Sequence, residues 1–60
     1  MKTYVMYFLD YVKIIDDTWI NSTGARMQLN LSMKQLDEIN KLARNKTYRL
    51  PNGERFWRVE

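Results

Sequence analysis

From Leu31 to Asn45 the apolar positions recur at helical spacing. Met33, Leu36, Ile39 and Ala43 share one face with Leu42 beside them, while Lys34, Asp37, Glu38, Lys41 and Arg44 fall elsewhere. The pattern predicts an amphipathic helix whose start is specified locally. Ser32 is placed as the N-cap and Gln35 as N3, so each side chain can bond the other's backbone N–H in a capping box, and Leu31 at N′ can pack on Leu36 at N4. At the far end Asn45 suits the left-handed C′ position, and Lys41, Arg44 and Lys46 complement the negative end of the helix.

The chain before this helix alternates in the manner of strands. Tyr4 to Leu9 and Tyr11 to Ile15 are rich in β-branched and aromatic residues and predict one long or bent strand, with Val5, Tyr7, Leu9 and Tyr11 on one face and Tyr4, Met6 and Phe8 on the other. A helix with Met6, Asp10, Lys13 and Asp17 as its polar stripe is the alternative. Both faces of the strand are apolar, yet a single helix covers only one side of a sheet. Tyr4, Met6 and Phe8 are therefore candidates for contact with a second copy or another partner. Asp16-Asp17 is turn chemistry, after which Thr18-Trp19-Ile20 can return antiparallel. Asn21-Ser22-Thr23-Gly24 makes the next turn, and Arg26 to Leu31 alternates as a half-exposed strand with Met27, Leu29 and Leu31 inward.

After the helix, Asn52-Gly53 between two apolar runs predicts a hairpin. With a two-residue loop, Pro51 pairs with Glu54, Arg49 with Phe56, Tyr48 with Trp57 and Thr47 with Arg58. That register sends Tyr48, Leu50, Trp57 and Val59 to the core and Thr47, Arg49, Phe56 and Arg58 to the outside. The expected fold is α+β: a small antiparallel sheet in ββ(β)αββ order, packed on one face by a single α-helix, in one domain spanning residues 1–60.

Length sharpens the question of partners. A chain of 60 residues hides only about 60% of the surface its unfolded state exposes. With no Cys and no His, neither a disulfide nor a zinc site can staple it, which leaves tight packing or self-association. A homodimer is the expectation. The same two absences remove the commonest general base, the usual soft-metal ligands and the thiol nucleophile, so the chain is expected to be a non-enzyme without cofactor. Asp10, Asp16 and Asp17 could hold a magnesium ion only if the fold gathered them, and turn formation accounts for Asp16-Asp17 more simply. No apolar run reaches membrane-spanning length and the N-terminus lacks the apolar core of a signal peptide, so a cytoplasmic protein is expected. Asn-X-Ser/Thr triplets at Asn21, Asn30 and Asn45 carry no weight in that setting.

Ten Lys and Arg against seven Asp and Glu give a net charge of +3, which permits nucleic acid without demanding it. The candidate contact surface is the outer face of the hairpin, where Arg49, Phe56 and Arg58 would stand together with Arg44 and Lys46 approaching from the helix end. Cations around an aromatic ring on a sheet suit single-stranded nucleic acid. The same residue types mark protein interface hot spots, and also a solvated edge hairpin kept soluble by its arginines. The small size and strand-helix-hairpin plan are like those of many proteins of phages and mobile elements that occupy a site on a larger host machine, a likeness of type that rests on no motif. Function is therefore expected to be protein contact, as an inhibitor or regulator, with nucleic-acid binding as the alternative.

Overall fold

The computed structural model describes residues 1–60. Its order is β1 (Thr3–Tyr7), β2 (Val12–Asp16), α1 (Asp17–Ile20), α2 (Thr23–Leu29), α3 (Met33–Asn40), β3 (Thr47–Arg49) and β4 (Arg55–Arg58). The four strands form one sheet in the order β2-β1-β4-β3, every neighbouring pair antiparallel. The α+β class and the antiparallel sheet stand as expected; three helices rather than one cover the sheet.

What reads as one N-terminal strand is a hairpin. Phe8 N donates to Tyr11 O at 2.8 Å, so Leu9-Asp10 is the whole loop. Neither loop residue has a positive φ, and the Asn-Gly type of signal that marks a hairpin in sequence is absent. Thr18-Trp19-Ile20 and Arg26 to Leu29, expected as strands, are helical because side chains cap both segments. Asp16 Oδ1 accepts from Trp19 N at 2.8 Å and starts α1; Ser22 Oγ accepts from Ala25 N at 3.2 Å and starts α2. Asn30 at φ 54° ends α2 with the paired bonds of a Schellman motif, Asn30 N to Met27 O at 3.3 Å and Leu31 N to Arg26 O at 3.1 Å. Met27 thereby turns outward and stands 77% exposed, while Leu29 and Leu31 stay in the core.

Leu31 both closes α2 and enters α3, whose start follows the expected capping box. Ser32 N donates to Gln35 Oε1 at 2.9 Å and Gln35 N to Ser32 Oγ at 3.1 Å, and Leu31 and Leu36 both join the core cluster. Ser32→Ala should cost about 1 kcal/mol, read as a lowered urea midpoint with an unchanged denaturant slope. The helix ends at Asn40, earlier than its apolar pattern suggests. Asn40 Nδ2 donates to Asn21 Oδ1 at the α1–α2 junction while Asn21 Nδ2 donates to Asn40 Oδ1, and the Lys2 ammonium donates to Asn40 O. Asn45 is left-handed at φ 66°, but in the connection to β3, where its N–H donates to Arg58 O.

Helices and sheet meet over Tyr4, Met6, Ile15, Ile20, Leu29, Leu31, Leu36, Ile39, Leu50 and Phe56, with Phe8, Trp19 and Tyr48 packed at the margin. Tyr4 is fully buried and its hydroxyl donates to Ile39 O at 3.3 Å. Burial pushes the Tyr4 phenol above its ordinary pKa; Arg58 opposes that shift and Asp17 adds to it.

Candidate open-face contact surface

Residues directly opposite each other in an antiparallel sheet share a face, so the registers assign every side chain. The rows through Tyr4 and Met6 face the helices. The alternate rows face away: Ile14, Val5, Trp57 and Thr47 in one, Val12, Tyr7, Arg55 and Arg49 in the next. No helix lies over this second face. Ile14 is 72% exposed and Val12 58%, at the β2 edge. Val5, Tyr7 and Trp57 are half-buried in the middle, and Thr47, Arg49 and Arg55 are exposed towards β3. The face thus grades from aliphatic through aromatic to cationic.

Its electrostatics are one-sided. Arg49 and Arg55 stand directly opposite each other, in a pair where the two strands exchange no bonds and side chains approach most closely. Like charges so placed repel. The chain's ion pair joins Asp37 on α3 to Lys41, the residue that caps its C-terminus, at 2.8 Å, so no carboxylate neutralises either arginine. Arg55 instead lies over the Tyr7 ring, its guanidinium carbon 4.7 Å from the centroid.

The surface expected from sequence is not the one the fold builds. The β3–β4 register pairs Arg49 with Arg55 and Tyr48 with Phe56, one residue away from the two-residue-loop pairing. Because side chains alternate, that slip exchanges the two faces of β4 and leaves those of β3 as expected. Phe56 is fully buried in the core, and Trp57 takes the outer position. Arg58 turns to the helix side and is bonded there, Nη1 to Leu42 O at 3.0 Å and Nε to Glu60 O at 2.8 Å. Arg44 and Lys46 are exposed in the α3–β3 connection; Lys46 aligns with Arg58, away from Arg49. Of the five residues only Arg49 lies on the open face.

Tyr4 and Met6 are fully buried beneath the helices and present no side chain to a partner. Phe8 is half-buried and stacks on Tyr11 with ring centroids 4.3 Å apart, tying the β1–β2 turn. The side of β1 that the helices leave open is the other one, Thr3, Val5 and Tyr7, which the same alternation makes visible once the helix side is known. Asp10, Asp16 and Asp17 do not converge: Asp10 is in the β1–β2 turn while Asp16 caps α1, and no three His, Cys, Asp or Glu side chains gather at one point. No helix is long and apolar enough to cross a membrane. Comparison with family models, with curated proteins and with solved structures returns no match for this chain.

Proposed function

We propose that this is a non-enzymatic binding protein that acts by protein contact through the open face of its sheet, as an inhibitor or regulator that occludes a site on a larger partner. One observation carries the reading: the helix-free face exposes aliphatic Val12 and Ile14 beside Tyr7, Trp57 and two arginines that lack carboxylate partners. Trp, Tyr and Arg are the residue types enriched among interface hot spots, and aliphatic side chains this exposed gain from contact with another apolar surface. A benzophenone side chain replacing Thr47, beside Trp57, tests it against the same group replacing Lys34 on the solvent side of α3, in cells that produce the protein. The Thr47 derivative should give a discrete protein adduct that Trp57→Ala weakens. Equal labelling from both positions, or none from Thr47, removes the reading.

The opposed Arg49 and Arg55 favour a second one, single-stranded nucleic acid. Phosphate between the arginines would relieve their repulsion while bases stack on Tyr7 and Trp57, at about 1–3 kcal/mol per base. With two phosphates held, the affinity should fall with a log–log salt slope of about −1.4, and Arg55→Ala should bring it to about −0.7. A titration of oligonucleotides at low salt that shows no binding eliminates this alternative.

A further inference from the structure

The sheet has two edges, and they are not equivalent. β3 is three residues long and offers the outward backbone groups of Thr47 and Arg49 alone. β2 is five residues long. Its ladder phase follows from the bonds at its two ends: Phe8 N donates to Tyr11 O, and Asp17 N donates to Lys2 O at 3.1 Å. In an antiparallel pair the bonded positions alternate, so Tyr11, Lys13, Ile15 and Asp17 turn their backbone groups to β1. Val12, Ile14 and Asp16 turn theirs outward, where no strand meets them. The side chains of Val12 and Ile14 are on the open face, so there the unpaired backbone edge of β2 adjoins exposed apolar side chains.

We infer that this edge pairs antiparallel with β2 of a second copy, about a two-fold axis at Ile14, to give a continuous eight-stranded sheet with all helices on one side. The outward groups are complementary in this register: Ile14 bonds its own counterpart, and on either side Val12 meets Asp16 of the other copy, whose N–H is free to donate while its C=O is engaged at the start of α1. Lys13 then lies opposite Ile15. Shifting the axis to Lys13 would also satisfy the outward groups of Val12 and Ile14, but it sets the two Lys13 side chains directly against each other. That clash selects the Ile14 register. Lys13 is already drawn aside on its own chain, its ammonium 4.4 Å from the Trp19 ring centroid in a shallow cleft lined by Met1 and Ile15, which clears the approach to the edge. Pairing β2 to β3 of another copy would leave free ends and propagate into fibres, whereas the two-fold arrangement closes. A second copy is also what a domain of this size with no disulfide or zinc staple gains stability from. The pairing uses the edge and leaves the open face free, so it stands apart from the proposed function.

An interface of one short strand pair buries less than the standard area, and the dimer is accordingly weak. Sedimentation equilibrium from about 10 μM to about 1 mM, the range in which a small interface titrates, should pass from monomer to dimer and no further. Over the same range the amide exchange of Ile14 should slow about tenfold once nine-tenths of the protein is dimeric, while Lys13 and Ile15, already bonded to β1, should change little. Ile14→Pro removes an outward donor and no ladder bond, and should hold the protein monomeric. A synthetic chain N-methylated at Ile14 keeps the side chain and should do the same, which settles the matter if the proline variant does not fold. A monomer throughout, a polymer, a dimer whose Ile14 amide stays unprotected, or a dimer that survives N-methylation overturns the inference.

Discussion

Phe56→Ala should leave the chain largely unfolded at 25 °C, whereas Trp57→Ala should fold with an unchanged far-UV spectrum. The two aromatic residues are adjacent, and only the hairpin register decides which is core. Phe56 is fully buried, and truncating such a side chain costs about 3–5 kcal/mol. The single core of a domain this small, with no disulfide or metal staple, rarely supplies more than about 3–5 kcal/mol in all, so the loss takes most or all of it. Trp57 lies on the open face with Val5 and Thr47 beside it; its removal should cost about 1 kcal/mol and lower Tm by about 4–8 °C. A two-residue Asn52-Gly53 loop would reverse the order of the two variants. Thermal melts of both proteins, followed by circular dichroism, therefore read the register directly.

The reason the register departs from the Asn-Gly expectation is a missing hydrogen atom. In a two-residue loop Pro51 and Glu54 would be the closing pair that exchanges two backbone bonds, and Pro51 has no N–H to give. One residue back, Leu50 N donates to Glu54 O at 2.7 Å, and the loop becomes Pro51-Asn52-Gly53. Gly53 takes φ 98° to close it. Asn52, released from a left-handed role, accepts from Glu54 N at 3.0 Å through its side chain. The hairpin is thus legible from its turn residues, and its register from Pro51, a residue without a donor at the closing position. The capping box at Ser32 and Gln35 was legible for the same reason: both partners lie within three residues of each other. The site was less so. Arg49 is the single candidate that keeps its place, because face assignments depend on a register, and Val5, Tyr7, Val12 and Ile14 became a surface only when helices packed on the opposite side of β1 and β2. That packing is set by contacts distant in sequence, such as Tyr4 with Ile39 and Lys2 with Asn40.

Leu29→Lys should abolish folding while Met27→Lys should be nearly silent, and the contrast tests how the middle of the chain is built. Read as a strand, Arg26 to Leu31 places Met27 and Leu29 on one apolar face, and both substitutions would be severe. Read as a helix, residues two apart point to nearly opposite sides, and Ala25 is the residue that shares a face with Leu29. Ala25 and Leu29 are 2% and 7% exposed; Met27 is 77% exposed. At position 29 a lysine would lose the apolar contact and bring a charge without a partner into the core, a combined cost of about 4 kcal/mol or more, comparable to the whole stability of the domain. At position 27 it would enter water with a helix propensity close to that of methionine, and the change should stay within about 0.5 kcal/mol. Urea midpoints of the two variants separate the readings. The alternation that suggests a strand is equally compatible with a helix: Gln28 faces solvent beside Met27, Arg26 is half-buried with its guanidinium on the Met33 sulfur at 2.9 Å, and Asn30 supplies the left-handed stop. Ser22 and Asn30, short polar side chains at either end of the segment, select the helix because they satisfy backbone groups that a helix leaves open at its ends and a strand does not.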